Sequence, residues 1–235
     1  IIFTSSVAVY GLDKEDPDEN HIIDPFNHYG KSKWEAEVTI EQWHQKKTLD
    51  KSILILRPTV IFGERNRGNV FNLLKQIALG RFLMIGQGNN KKSMAYVGNV
   101  VAFIYDRIEK IEKGVNIFNY VDKPDFSMNE LINQVDMNLK KKTFPFKLPK
   151  ALGLLIGYVF DFLSFILSIK FSISSMRVKK FCATTQFNAD KLHTHFKPPF
   201  KLDEGLSKTI KFEFIDEKSD DVVRSEEHTS ELQSP

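Results

Sequence analysis

Seven consecutive residues, Ser52-Ile53-Leu54-Ile55-Leu56-Arg57-Pro58, do most to limit what this chain can become. Four aliphatic residues stand in a row without polar alternation, and a proline ends the run. A strand that is half exposed alternates apolar with polar side chains. An unbroken run is the mark of a strand buried on both faces, as in the middle of a parallel sheet. Parallel strands need crossover connections over the faces of the sheet, and helices supply them. Helical periodicity does recur between the apolar runs, so the expected class is α/β.

The first eleven residues, Ile1-Ile2-Phe3-Thr4-Ser5-Ser6-Val7-Ala8-Val9-Tyr10-Gly11, read as an apolar strand ending in a small hydroxyl cluster and a glycine turn. At the carboxyl end of a parallel strand, Ser6 would face the crevice where open α/β sheets bind ligands. Leu12 to Pro25 is acidic and holds two prolines, which predicts a surface loop leading to a helix from about Asn27 to Lys47. Tyr29 and Lys33 stand at the start of that helix. Their spacing puts both side chains on one face, one turn apart. A free phenol, with a pKa of about 10, is a poor acid or base near neutrality; useful chemistry needs a shift of about three units, roughly 4 kcal/mol. A fixed ammonium one turn along acts in that direction. An isolated Tyr-x-x-x-Lys pair is most often a helix pair with a snorkelling lysine. Here the pair is not isolated, because the strand end that carries Ser6 lies upstream of it.

Together these residues resemble the extended short-chain dehydrogenase/reductase family, the group of NAD-dependent epimerases and dehydratases that includes the nucleotide-sugar epimerases. The resemblance runs from Ile1 to about Phe214. It implies a partial Rossmann-type doubly wound parallel sheet, with the first strands and the glycine-rich loop absent, and a smaller, mostly helical substrate domain. Residues 1–63 and 94–122 would form the C-terminal part of the Rossmann domain, and residues 64–93 and 123–214 the substrate domain. Neither Gly-x-Gly-x-x-Gly nor Gly-x-x-Gly-x-x-Gly occurs in the chain. At about 30 residues per βαβ unit, roughly 100 residues would precede Ile1. The chain is therefore expected to be a fragment that alone neither binds the dinucleotide tightly nor turns over.

The resemblance also implies roles. Ser6 would hold the substrate hydroxyl, Tyr29 would exchange its proton, and Lys33 would bind the nicotinamide ribose and favour phenolate. Pro58 and Thr59 would offer backbone contacts along the nicotinamide of NAD or NADP. Asn69 would meet a substrate diphosphate at a helix start, where amides favour anions; an ordinary helix cap is its alternative reading. Lys92 stands where the family has a diphosphate-gripping arginine, a point charge in place of a fork. Gly98-Asn99 replaces an acidic pair usual in the family. Dehydratases carry two acids just after the hydroxyl residue, and Val7 and Ala8 stand there, which argues against dehydration. The expected activity is that of an epimerase or oxidoreductase acting on a secondary alcohol of a nucleotide sugar. Asn69 and the Gly86–Lys92 loop favour that substrate. Val60, Lys92 and an apolar stretch at 151–169 favour the alternative, a 3-beta-hydroxysteroid-dehydrogenase-like reductase of an apolar alcohol. A non-catalytic nucleotide-sensing scaffold is the third reading, against which stands the presence of Ser6, Tyr29 and Lys33 together.

Ala151 to Ile169 is nineteen residues long with Asp161 at its centre and Lys150 and Lys170 at its borders. That length admits a membrane span, but the central acid disfavours one. The expectation is a helix lying over the substrate pocket or along a membrane surface, with a plain core helix as the next reading and a true span as the last. Ser127-Met128-Asn129-Glu130 is a capping-box signature. His193 and His195, two histidines on alternate positions, are too weak a signal for a metal site, so no metal is expected. The single cysteine, Cys182, excludes an internal disulfide and fits a reducing, cytoplasmic compartment, with peripheral membrane contact through 151–169. A net charge of +3 permits an anionic small-molecule substrate without calling for nucleic acid. Family members often dimerise through the Tyr-Lys helix, so Trp34 or Trp43 is expected either in the core or at the interface of a homodimer. Residues 215–235 are expected to be a disordered tail, and 224–234 resemble the translation of a sequencing adapter.

Overall fold

The computed structural model describes residues 1–12, 14–46, 51–110, 112–167, 169, 171 and 174–216. Lys47, Lys170 and the stretch 217–235 lie outside them. Strand β1 (Ile2–Thr4) is followed by a 3₁₀ turn (Val7–Tyr10), helix α1 (His28–Lys46) and strand β2 (Ser52–Pro58). Strand β3 (Val60–Phe62), helix α2 (Asn69–Ala78), strands β4 (Leu83–Ile85) and β5 (Lys91–Tyr96), helix α3 (Val97–Lys110) and strand β6 (Gly114–Tyr120) come next. The remainder is strand β7 (Asp122–Ser127), helix α4 (Met128–Leu139), strand β8 (Phe146–Leu148) and helices α5 (Lys150–Leu167), α6 (Ser175–Cys182), α7 (Asp190–His195) and α8 (Leu202–Phe214).

The aliphatic run forms β2, the middle strand of a parallel sheet ordered β1-β2-β6. Its register sets Leu54 opposite Ile2 on one side and Asn116 on the other. Successive side chains point to opposite faces. Leu54 and Leu56 meet Phe118 and Tyr120 of β6, Val100 and Phe103 of α3, and Leu192 of α7. Ile53, Ile55 and Arg57 point the other way, and Arg57 meets Glu37 of α1 there. Helices therefore cover both faces, which is why the run could be aliphatic throughout.

A second sheet, ordered β3-β5-β7, pairs β3 parallel and β7 antiparallel to β5. Its core joins Leu74 and Ile77 of α2, Leu131 and Val135 of α4, and Leu206 and Ile210 of α8. Strands β4 and β8 form a separate parallel pair under α5. Ser127 caps α4 with the reciprocal Glu130 bond, as its sequence predicts. Helix α7 follows the substrate-side segments in the chain yet packs against β6 through Leu192, within the core of the parallel sheet.

The opening segment differs from the expected single strand. Strand β1 stops at Thr4, and Ser6 caps the 3₁₀ turn by accepting the Ala8 amide at 3.2 Å. Small hydroxyl side chains compete with strand ladders in this way. Gly11 then takes φ +86°, and a Cβ there would lie 2.1 Å from the Asp24 carbonyl oxygen, so only glycine lets the loop close on α1.

Candidate active site

Helix α1 carries Tyr29 and Lys33 to the carboxyl end of β1. The Lys33 ammonium donates to the Thr4 carbonyl at 2.9 Å and lies 5.8 Å from the centroid of the Tyr29 ring. Tyr29 itself is 54 % exposed. Gly30, next to it, is buried against the turn that Ser6 opens: a Cβ would lie 2.5 Å from the Ala8 carbonyl oxygen. Tyr29 and Lys33 thus stand where β1 ends, against the turn that bears Ser6. Because the Ser6 oxygen accepts from the Ala8 amide, its hydroxyl proton is left to donate elsewhere.

Two residues behind this edge were not singled out from the sequence. Glu37 lies one further turn along α1 from Lys33 and is fully buried. Its carboxylate accepts from Arg57 Nη2 at 2.6 Å and Nε at 3.1 Å, and from the hydroxyl of Ser5. Arg57 Nη1 continues to the Tyr10 hydroxyl at 2.8 Å, which donates to Asn119 Oδ1 at 2.7 Å. One buried ion pair therefore ties α1, the end of β1, the end of β2, the 3₁₀ turn and β6. Burial pulls the Arg57 pKa down, but the Glu37 hydrogen bonds and Tyr10 outweigh it and hold the guanidinium above its ordinary value. Burial raises the pKa of the Tyr10 phenol. Both signals were in the sequence: an acid in step with Tyr29 and Lys33, and an arginine inside an aliphatic run.

The other expected ligands differ in their surroundings. Thr59 is buried, and both its amide and its hydroxyl donate to the Tyr120 carbonyl, at 3.1 and 3.3 Å. Proline has no amide hydrogen, so Pro58 and Thr59 have only carbonyls to offer a ligand. Asn69 is not a helix cap: it is the first residue of α2, exposed, and Gly68 holds the cap position without a side-chain bond. Lys92 is not poised as a diphosphate clamp. Its ammonium donates to the carbonyls of Ala183 at 2.6 Å and Lys180 at 3.0 Å, closing the end of α6, and burial lowers its pKa to about 8. The neighbouring Lys180 instead lies 4.3 Å from the centroid of Phe26, just ahead of α1.

Asn99 shows why the acidic pair is missing. Its amide group donates to Asp122 at 3.0 Å and to the Phe200 carbonyl at 2.8 Å, while its oxygen accepts the Phe200 amide at 3.0 Å. An aspartate could make neither donation and would set a second carboxylate beside buried Asp122.

A nicotinamide dinucleotide fits this edge at its nicotinamide end. Lys33 keeps two N–H bonds beyond the one given to Thr4, a phenol stands beside it, and carbonyls end β2. No group of three or more histidine, cysteine or acidic side chains that could hold a metal ion occurs among the described residues.

The profile of the NAD dependent epimerase/dehydratase family matches residues 1–120. The chain belongs to that family. It is 57% identical over 224 residues to an N-acetyl-alpha-D-glucosaminyl-diphospho-ditrans,octacis-undecaprenol 4-epimerase of Escherichia coli O157:H7, a match over 95% of this chain and 68% of the relative. A UDP-glucose 4-epimerase of Vibrio cholerae is 27% identical over 218 residues, 88% of this chain and 61% of that protein. Among solved structures, UDP-glucuronic acid 4-epimerase from Bacillus cereus in complex with NAD superposes with a TM-score of 0.65 at 18% identity, over 90% of this chain and 60% of that one. At that identity the likeness concerns the fold. The family's parallel sheet with helices on both faces is the one described above.

Proposed function

We propose that the protein is an NAD-dependent epimerase that inverts the 4-hydroxyl of a sugar carried on a diphosphate, borne by a polyprenol or by a nucleotide. The observation that carries this reading is the seating of Gly30 on the Ala8 carbonyl, which holds the helix start bearing Tyr29 and Lys33 against the turn bearing Ser6. The identity of 57% with the polyprenol-diphosphate sugar epimerase supports the substrate class. A bound nicotinamide supplies acceptance and return of hydride. Tyr29 takes the proton of the sugar hydroxyl on its phenolic oxygen and gives it back once the new configuration is set. Lys33 supplies positive charge beside that ring and donates to ribose hydroxyls. Ser6 donates its free hydroxyl proton to the reacting oxygen. Asn69, exposed at the start of α2, faces outward where a diphosphate would meet helix amides.

Val7 and Ala8 leave no acid to expel a hydroxyl, so the reaction ends as epimerisation and not dehydration. A shallow hollow on the outer side of α1, lined by Pro25, Lys31, Trp34 and Val38, is the face proposed for a second copy. The setting proposed is the cytoplasm, at a membrane where the substrate is lipid-borne. A reductase of an apolar alcohol is the second reading, favoured by the inward turn of Lys92 and the apolar surface of α5.

Incubating the complete protein with N-acetylglucosamine on polyprenyl diphosphate, and separately on UDP, tests the assignment. C4-inverted product should form without net change in cofactor absorbance, and Tyr29→Phe should lower turnover by about 10²–10⁴. Stoichiometric loss of reduced cofactor would favour the reductase. Unchanged turnover in Tyr29→Phe would reject the assigned proton transfer.

A further inference from the structure

Helix α5 has one face built for docking on the protein and another with nothing on it among the described residues. On the docked face, a Cβ on Gly153 would lie 2.8 Å from the Ile85 side chain and one on Gly157 2.7 Å from the Ser175 backbone, while Asp161 accepts the Ser175 amide at 3.1 Å. Leu152, Leu155, Val159, Phe162, Phe165 and Ile166 recur at helical spacing on the opposite side, all exposed, Phe165 to 85 %. The apolar surface continues onto the neighbouring strands. Leu83 and Phe146 are register partners on the same face as Ile85, beside α5, and both are exposed.

The charge around this surface is one-sided. Nine of the chain's 33 basic residues but only one of its 30 acidic residues fall within 140–180, so that segment carries +8 while the other 194 residues carry −5. The single acid is Asp161, which is spent on Ser175. Lysines flank the apolar side chains directly: Lys142 lies 5.2 Å from the centroid of Phe144, itself exposed, and Lys179 lies 5.6 Å from that of Tyr158.

We propose that this face, α5 together with β4 and β8, docks on the surface of an anionic phospholipid bilayer, with α5 lying in the plane of the interface. An apolar face flanked by lysines is what such a surface takes. A second copy on the same face would bring two segments of +8 together, which their repulsion opposes. Crossing the bilayer would require the glycine face and Asp161 to leave Ile85 and Ser175. The docking goes beyond the reaction assigned above and does not depend on it.

Co-sedimentation of the complete protein with vesicles of phosphatidylcholine, alone or mixed with phosphatidylglycerol, tests the docking. Binding should be about tenfold or more tighter to the anionic vesicles and should weaken as salt rises. The pair Phe162→Glu and Phe165→Glu should lose about tenfold or more of that binding with an unchanged circular dichroism spectrum. The pair Lys142→Glu and Lys179→Glu should lose the preference for anionic lipid. Absence of sedimentation with either vesicle would overturn the proposal, as would a dimer in lipid-free buffer that the phenylalanine pair dissociates. Turnover of a water-soluble nucleotide sugar separates this from the assigned reaction: vesicle binding by a protein that turns over neither substrate leaves the docking standing and removes the epimerase.

Discussion

Glu37 and Arg57 illustrate what a single buried charge demands. A guanidinium cannot shed its proton inside a protein, so the arginine at the end of β2 requires a carboxylate, and Glu37 supplies it with two charge-assisted bonds. Glu37→Gln should cost about 3–5 kcal/mol in urea unfolding, because it leaves that cation buried without a counter-charge. Replacing both, Glu37→Leu with Arg57→Met, should recover most of that stability, since well-packed apolar pairs often match a buried ion pair. Activity should stay low in the double variant, because the link from α1 to Ser5 is gone. Recovery of both together would show that the pair serves stability and not alignment. That Tyr29 and Lys33 share one face of a helix could be read from their spacing, whereas the surroundings of Lys92 could not be judged that way. What its ammonium holds is the end of α6, 88 and 91 residues further along the chain.

At the scale of elements, the contact between α1 and the 3₁₀ turn sets the position of Tyr29. An alanine at position 30 would gain about 1 kcal/mol of helix propensity over glycine. Its Cβ would meet the Ala8 carbonyl oxygen at 2.5 Å, and backbone cannot swing aside as a side chain can. The overlap, about 1–3 kcal/mol for an overpacked site, should win. Gly30→Ala is therefore expected to lower the unfolding midpoint slightly and turnover strongly, by moving α1 away from Ser6; a rise in stability with full turnover would contradict the packing. The bounds of β2 agree with the sequence expectation because a continuous aliphatic run ending in proline leaves little freedom. Strand β1 ended early because hydroxyls at 5 and 6 take local and long-range partners that no periodicity reports.

For the molecule as a whole, the junction between the two sheets carries a pH dependence. Asp122 begins β7 immediately after β6 and accepts from the Tyr96 amide at 2.7 Å and from Asn99 at 3.0 Å. Burial nevertheless raises its pKa from 3.8 to about 6, outweighing those bonds. The folded state thus holds this proton more tightly than the unfolded chain does, so the contribution of Asp122 to stability falls as pH rises from about 4 to about 6 and is level above that. Unfolding free energies measured from pH 4 to 7 should contain a decline of up to about 3 kcal/mol that Asp122→Asn removes; an identical profile in the variant would show that Asp122 is not the titrating group. Local sequence determined the α/β class, the buried central strand, the capping box of α4 and the proximity of Tyr29 and Lys33, because each follows from side-chain periodicity or from residues within a turn of one another. Only the tertiary structure decided that Lys92 is turned to α6, that Asn99 must be an amide, that α7 returns to the parallel sheet and that α5 keeps one face uncovered among the described residues. Those outcomes depend on partners far apart in the chain, and spacing along a sequence carries no information about which distant surfaces will meet.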